Sequence, residues 1–278
     1  MRLGGAVFER YVDPDGWVAA LKKLGYSAAY CPVDSEVSDE VVKAYADAAE
    51  RAGIVIAETG AWSNPLDVDP EKRRAALDRN RRQLALADRL GARCCVNISG
   101  SRGAAWDGPH PDNLTGETFD RIVQTVRDII DDVKPTRTFY TLETMPWMYP
   151  DSADSYLRLM RAIDRKRFAV HLDPANLIAS PQLYFENGRL VRDFVAKLGP
   201  HIRSCHAKDV LLEGRMTVHL EEVRAGLGGM DYVTYLRELS KLDTDVPLMI
   251  EHLATAREYL QAADYIRRVA QDSDVRIV

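Results

Sequence analysis

Short runs of apolar and β-branched residues alternate along the chain with longer stretches whose apolar positions recur about every three or four residues. The first pattern suits strands buried on both faces, and the second suits amphipathic helices. The spacing predicts a strand over 2–8. A helix follows, with Asp13 as its cap and Pro14 in its first turn, where a missing N–H is no loss. Gly25 stops it, and a second strand covers 26–33. Ser38 caps the second helix, whose first-turn acids Asp39 and Glu40 suit its dipole. A third strand over 53–58 leads to a helix opened by Asp69-Pro70-Glu71 and stopped by Gly91. A fourth strand over 92–98 gives way to a long irregular connection, 99–116, and a helix over 117–133. Four further strands are predicted over 137–144, 168–173, 201–208 and 246–251. Helices over 152–163, 190–198, 232–242 and 256–270 follow them in turn.

Eight strand–helix units in unbroken succession imply a parallel sheet. With 278 residues the chain has the length of a closed (β/α)8 TIM barrel, a single α/β domain over 1–278. An open doubly wound sheet is the alternative. The turn after its first strand would carry GxGxxG if it bound a dinucleotide, and none is present.

In such barrels chemistry gathers at the C-terminal ends of the strands. Four consecutive predicted strands end in Glu143, Asp173, His206 and Glu251, at intervals of 30, 33 and 45 residues, each long enough for one crossover. Side chains alternate along a strand, so Thr141 shares a face with Glu143, His171 with Asp173, and Ser204 with His206 and Lys208. Any one of these alone reads as a strand-end polar group satisfied by a helix terminus or water. Four together, in a barrel mouth where an isolated charge costs several kcal/mol, read as a shared cation site. Three carboxylates and one imidazole make a mostly oxygen donor set. One divalent metal ion is therefore expected, Mn2+ first, with Mg2+, Co2+ or Zn2+ compatible.

Other residues add candidate substrate contacts. The segment Trp106-Asp107-Gly108-Pro109-His110 is rich in turn formers and reads either as a rigid surface loop or as a lid. As a lid it offers Trp106 as a stacking face for a substrate and His110 as a proton donor. Lys208 either pairs with a neighbouring acid or binds a substrate carbonyl or hydroxyl. Trp62, Trp147 and Tyr149 lie just past the third and fifth strands, where an indole covers an apolar face of a substrate or simply packs a loop. Glu58, ending the third strand, is a further polar contact for the pocket. His171, Asn176 and Arg224 complete the set, although Arg224, like Arg257, reads by default as a solvent charge.

Charge and cysteine content narrow the partners. A formal charge of −5 disfavours a general nucleic-acid binder. No apolar run is long enough for a membrane span, and Met1-Arg2-Leu3-Gly4-Gly5 does not read as the start of a signal peptide, so none is expected. Four cysteines without CxxC spacing predict reduced, buried thiols in a cytoplasmic protein. The expected partner is a small molecule, with a homo-oligomer or a small partner subunit left open.

Leu142-Glu143, Leu172-Asp173-Pro174, Cys205-His206-Ala207-Lys208-Asp209 and Ile250-Glu251 resemble the motifs of the xylose-isomerase-like barrel superfamily. Gly226-Leu227-Gly228-Gly229-Met230-Asp231-Tyr232 resembles its glycine-rich turn before the seventh helix. That superfamily contains sugar isomerases and epimerases, inosose dehydratases and type-2 AP endonucleases. The resemblance implies Glu143, Asp173, His206 and Glu251 as metal ligands, and Glu143 and Glu251 as the acid/base pair of an epimerase. Two positions depart from it. Keto-sugar 3-epimerases carry a second Glu where this chain has Tyr149, and a His where it has Asn176. The AP endonucleases hold several zinc ions with many histidines, whereas only six occur here. The expected activity is a metal-dependent sugar isomerase or epimerase working through an enediolate. The alternative is a lyase or dehydratase that eliminates from an oxidised (3-keto) sugar, glycoside or inosose.

Overall fold

Eight parallel strands form the barrel: β1 (Arg2–Gly4), β2 (Ala28–Tyr30), β3 (Val55–Gly60), β4 (Cys94–Asn97), β5 (Tyr140–Glu143), β6 (Phe168–Leu172), β7 (Ile202–Ala207) and β10 (Pro247–Ile250). The computed structural model describes all of Met1–Val278. Neighbouring strands pair in sequence order from β1 to β7, and β10 closes the ring between β7 and β1. Around it lie α1 (Pro14–Lys23), α2 (Asp39–Ala52), α3 (Pro70–Leu90), α4 (Gly116–Val133), α5 (Ala153–Ile163), α6 (Pro181–Phe185), α7 (Asn187–Leu198), α8 (Tyr232–Leu239) and α9 (Ala256–Asp272). The (β/α)8 barrel expected from the alternation is the fold observed.

Local signals set the helix ends. Asp13 and Asp69 each accept a backbone N–H of the first turn, at 2.7 Å from Gly16 and 2.8 Å from Glu71. Gly53 and Gly91 end α2 and α3 at φ of 67° and 71°, the left-handed region that a side chain disfavours. Strand ends are less faithful to the apolar pattern. The first strand stops at Gly4 rather than at 8, the second covers only Ala28–Tyr30, and the third is shifted to Val55–Gly60. Barrel height limits the pairing, and the remaining apolar residues, such as Ala6 and Val7, pack on the core from the following loop.

An antiparallel hairpin absent from the sequence expectation, β8 (Asp209–Glu213) with β9 (His219–Val223), stands beyond the end of β7. Its alternation is interrupted by charges and it lies in what reads as one long connection. Asp209 fastens its base. That carboxylate accepts the backbone N–H groups of Val210, Gly226, Gly228 and Met230 at 2.9–3.1 Å. Gly228 is needed there because a Cβ would strike the Val210 carbonyl.

Buried tyrosines hold the functional strands from behind. Tyr235 donates to the His206 carbonyl at 2.9 Å and Tyr232 to that of Lys208 at 2.7 Å. Tyr156 donates to the Leu142 carbonyl at 2.6 Å and accepts from the His171 N–H at 3.2 Å. No helix is long and apolar enough to cross a membrane.

Asp209→Ala removes the acceptor for four backbone donors and is expected to cost roughly 3 kcal/mol in urea unfolding, with Asp209→Asn losing less. A loss below about 0.5 kcal/mol would show that the glycine-rich turn stands without this clamp.

Candidate active site

The barrel interior is layered because alternate residues of each strand face inward. In the lower layer Glu58 of β3 is almost wholly buried and has donors on both oxygens. Oε2 lies 2.9 Å from His171 Nε2 and accepts from Ser204 Oγ at 2.8 Å, while Oε1 lies 3.1 Å from His206 Nε2. The His171 and His206 rings meet edge to face, 4.2 Å apart. Glu58, His171 and His206 are close enough to hold an ion themselves. Both Glu58 oxygens are already used by these donors, so this layer orients His206 rather than offering an open site.

Accepting from Nε2 turns His206 Nδ1 upward, towards the strand ends. There it faces Glu143 Oε1 at 3.0 Å, Glu251 Oε1 at 2.7 Å and Asp173 Oδ2 at 3.5 Å. Ligand atoms from these four residues all lie within 4.8 Å of one another. Each is held by its surroundings. Asp173 spends Oδ1 on the N–H groups of Ala175 and Asn176, at 3.0 and 3.3 Å, leaving Oδ2 for the cluster. Thr144 ties the ends of β5 and β6 together by donating to the Asp173 carbonyl at 2.8 Å. Asn176 Nδ2 donates to Glu143 Oε1 at 3.2 Å and to the Thr144 carbonyl at 3.1 Å.

Lys208, only 3 % exposed, is the second cation of the cluster. Its Nζ lies 2.9 Å from Asp173 Oδ2, 2.7 Å from Glu251 Oε1 and 3.4 Å from Glu222 Oε2. Burial opposes ionisation throughout, and the pairing outweighs it at most positions. His206 is driven well above the imidazole range, against burial, by Glu251, Glu58 and Glu143. Lys208 is likewise raised by Asp173 and Glu251. Against burial, His206 and His171 hold Glu58 well below the usual carboxylate range, and Lys208 and His206 do the same for Asp173. Glu143 is pushed up by burial and by the neighbouring Glu251 charge, although His206 pulls against this. His206 and Lys208 keep Glu251 low despite its burial.

The residues fit a divalent cation. Asp173 Oδ2 and Glu251 Oε1 are buried without a hydrogen bond of acceptable geometry, although cationic nitrogens stand nearby. One imidazole N–H cannot serve three carboxylates at once. A metal ion accepts several oxygens and one nitrogen together, and this donor set suits a hard ion.

Above the cluster opens a cavity of about 620 Å³, floored by Glu143, Lys208 and Glu251 and walled by Trp62, Trp106 and Trp147. Asn176 also lines it. The lining also includes residues that no sequence pattern marks as candidates, among them Glu222 on β9 and His252 just after β10; His252 Nδ1 lies 3.0 Å from Glu222 Oε1. No strand-end pattern marks Glu222, because it comes from the hairpin. His252 was visible beside Glu251 but carried no spacing signal of its own.

Other candidates lie elsewhere. His110 does not line the cavity; its Nδ1 caps the turn that follows, accepting from Asp112 N at 3.3 Å, which uses the ring structurally. Arg224 lies outside this cavity, beyond the end of the hairpin, where it lines a separate surface pocket with Gln261 and Asp264 of α9. His171 is sealed beneath the cluster by Glu58 rather than facing substrate, and Glu58 is itself below the pocket because β3 runs past it to Gly60. Tyr149 donates to the Leu114 carbonyl at 2.9 Å and packs on Phe119, outside the cavity.

None of the curated proteins matches the chain. Among solved structures, D-psicose 3-epimerase from Clostridium cellulolyticum H10, solved with D-tagatose, is 16% identical with a TM-score of 0.67, covering 97% of this chain and 99% of its own. A xylose isomerase-like TIM barrel protein from Mycobacterium smegmatis in complex with magnesium is 17% identical, TM-score 0.64, covering 94% and 90%. The probable 3-DHS dehydratase AsbF from Bacillus anthracis is 15% identical, TM-score 0.68, covering 96% and 98%. At these identities the likeness speaks for the fold. A sequence profile described as xylose isomerase-like TIM barrel matches residues 18–269, nearly the whole chain, and the protein therefore belongs to that family.

Proposed function

We propose that this chain is a divalent-metal-dependent enzyme that isomerises or epimerises a keto- or aldo-sugar through the substrate's enediolate. The observation that carries this reading is the convergence of Glu143 and Glu251 on His206 Nδ1, at 3.0 and 2.7 Å, on the floor of an open cavity. The Clostridium epimerase and the Bacillus dehydratase named above share the fold and are compatible with it.

Glu143, Asp173, His206 and Glu251 would hold the ion, Mn2+ first among the candidates. When bound, the cation supplies Lewis acidity that makes the C–H beside a sugar carbonyl easier to ionise. Glu143 and Glu251 reach the same point from β5 and from the end of β10. One takes the proton from carbon and the other returns a proton to the opposite face, which inverts the centre; returned instead to the former carbonyl carbon, with the hydroxyl proton passing to the old carbonyl oxygen, it moves the carbonyl. Lys208 donates to an oxygen of the substrate at the cavity floor. Asn176 steadies Glu143 through its Nδ2 contact. Four free cysteines, three of them buried, support a reducing compartment such as the cytoplasm.

Elimination is the second reading. Tyr149 is committed to protein contacts outside the cavity and Asn176 to Glu143 and Thr144, so the two extra substrate contacts expected of a 3-epimerase are absent. The same proton abstraction would then break the C–O bond on the adjacent carbon. The electron pair forms the C=C bond and the leaving group departs with a proton.

Incubating the Mn2+-loaded protein with keto-sugars in deuterated water is expected to place deuterium on the carbon next to the carbonyl. An intact skeleton supports isomerisation, loss of water or an aglycone supports elimination, and no exchange with any keto-sugar or keto-glycoside would sink both. Glu251→Gln is expected to lower exchange at least roughly a hundredfold while the thermal midpoint stays near wild type; full exchange would remove Glu251 from the chemistry. Glu58→Gln, which leaves all four proposed ligands in place, is expected to weaken Mn2+ binding roughly 10- to 100-fold by calorimetry. Unchanged affinity would mean that Glu58 does not orient His206.

A further inference from the structure

The chain has four tryptophans, and only Trp17 belongs to the core. Trp62, Trp106 and Trp147 are 36%, 40% and 39% exposed, and all three line the cavity above the carboxylate cluster. Large aromatic surface left open in a concave site is expensive to maintain and marks a ligand with apolar faces. The rings are pre-set. Trp62 lies directly on Gly60, where any Cβ would collide with its indole nitrogen. Trp147 donates its indole N–H to the Asp107 carbonyl at 2.7 Å, which fixes its plane and ties it to the loop that carries Trp106.

These indoles stand on three different loops, after β3, β4 and β5. A single pyranose ring has only two faces to offer them. The cavity of about 620 Å³ also lies well inside the range of roughly 300–1,000 Å³ typical of sites for drug-sized ligands. Its charge is equally informative. Four carboxylates, from Asp107, Glu143, Glu222 and Glu251, line it against the single ammonium of Lys208, and no arginine is present. Lys208 commits its charge to Asp173 and Glu251, which leaves one N–H for a neutral substrate oxygen, and His252 lies against Glu222. Apart from the cation proposed for the floor, which the sugar carbonyl would occupy, nothing in this lining offers the bidentate cationic grip that a phosphate or carboxylate group calls for.

We infer that the site takes a neutral glycoside, a sugar joined to a second ring with an apolar face, in preference to a free or phosphorylated monosaccharide. Because a glycoside has no free anomeric carbonyl, this narrows the keto- or aldo-sugar of the proposed reading to a sugar oxidised elsewhere on its ring. This rests on the proposed reading of the carboxylate cluster as the reaction centre. The second ring is either an aromatic aglycone or another sugar, and both present the same flat C–H or π surface to the indoles.

The test is a calorimetric titration of the full chain in MnCl2 with ligands that need no turnover: 4-nitrophenyl β-D-glucoside, cellobiose, glucose and glucose 6-phosphate. At least one of the two glycosides is expected to bind roughly tenfold more tightly than glucose, with glucose 6-phosphate no tighter than glucose. Preference for the nitrophenyl glycoside identifies an aromatic aglycone, and preference for cellobiose a second sugar. Trp147→Ala and Trp62→Ala, checked for folding by thermal unfolding, should each reduce that ratio several-fold; Trp106→Ala serves if either fails to fold. Absent glycoside binding, equal binding of glucose, tighter binding of the phosphate, or an undiminished ratio in the folded variants would overturn the inference. Glycoside preference without any deuterium exchange would sink the proposed reaction alone. Exchange on free keto-sugars without glycoside preference would sink this inference alone.

Discussion

The structure is arranged around the burial of Glu58 between two imidazoles. A lone carboxylate this deep would be costly to ionise, and its ionisation here depends on His171, Ser204 and His206 donating to it. That arrangement decides the rest. With Nε2 committed downward, His206 can present only Nδ1 to the strand ends, and Glu143, Asp173 and Glu251 gather about that atom. Lys208 then balances the excess of negative charge from the side. Each member is stabilised by the others, so the removal of one leaves a desolvated charge without its partner.

Backbone anchoring gives this electrostatic arrangement its geometry. Tyr156, Tyr232 and Tyr235 bond the main chain of β5, β6 and β7 from the helical layer, behind the residues that point inward. Thr144 joins two adjacent strand ends, and Asp209 fastens the turn beneath the hairpin that carries Glu222. Ligand groups are thus placed by rigid elements. The recognition surface above them is built on loops, where aromatic rings vary without disturbing the barrel.

Glu143, Asp173, His206 and Glu251 were legible in the sequence because strand alternation and strand ends are local signals, and the barrel turns four successive ends into neighbours. Glu58 is legible as a strand-end acid, yet β3 runs two residues past it, which sets its side chain on the floor of the barrel rather than at its mouth. His110 and Arg224 are chemically plausible for a pocket, yet loop direction sends the first into a turn cap and the second to the flank of α9. Glu222 reaches the cavity only through hairpin pairing, a long-range arrangement with no short-range mark. Trp106 and Trp147 were found as loop aromatics, but the Trp147 bond to the Asp107 carbonyl, which links their two loops, is a tertiary contact.

The position of β10 has a temporal consequence. It is last in the chain, yet it pairs with β1, which is first, and with β7. During synthesis the other seven strands emerge before it, carrying Glu58, Glu143, Asp173, His206 and Lys208, while the ring still has a gap. Glu251 arrives at the end of that closing strand. The carboxylate that completes the cluster is therefore delivered by the same event that seals the barrel, so a nascent chain cannot present the finished site while the ring is open.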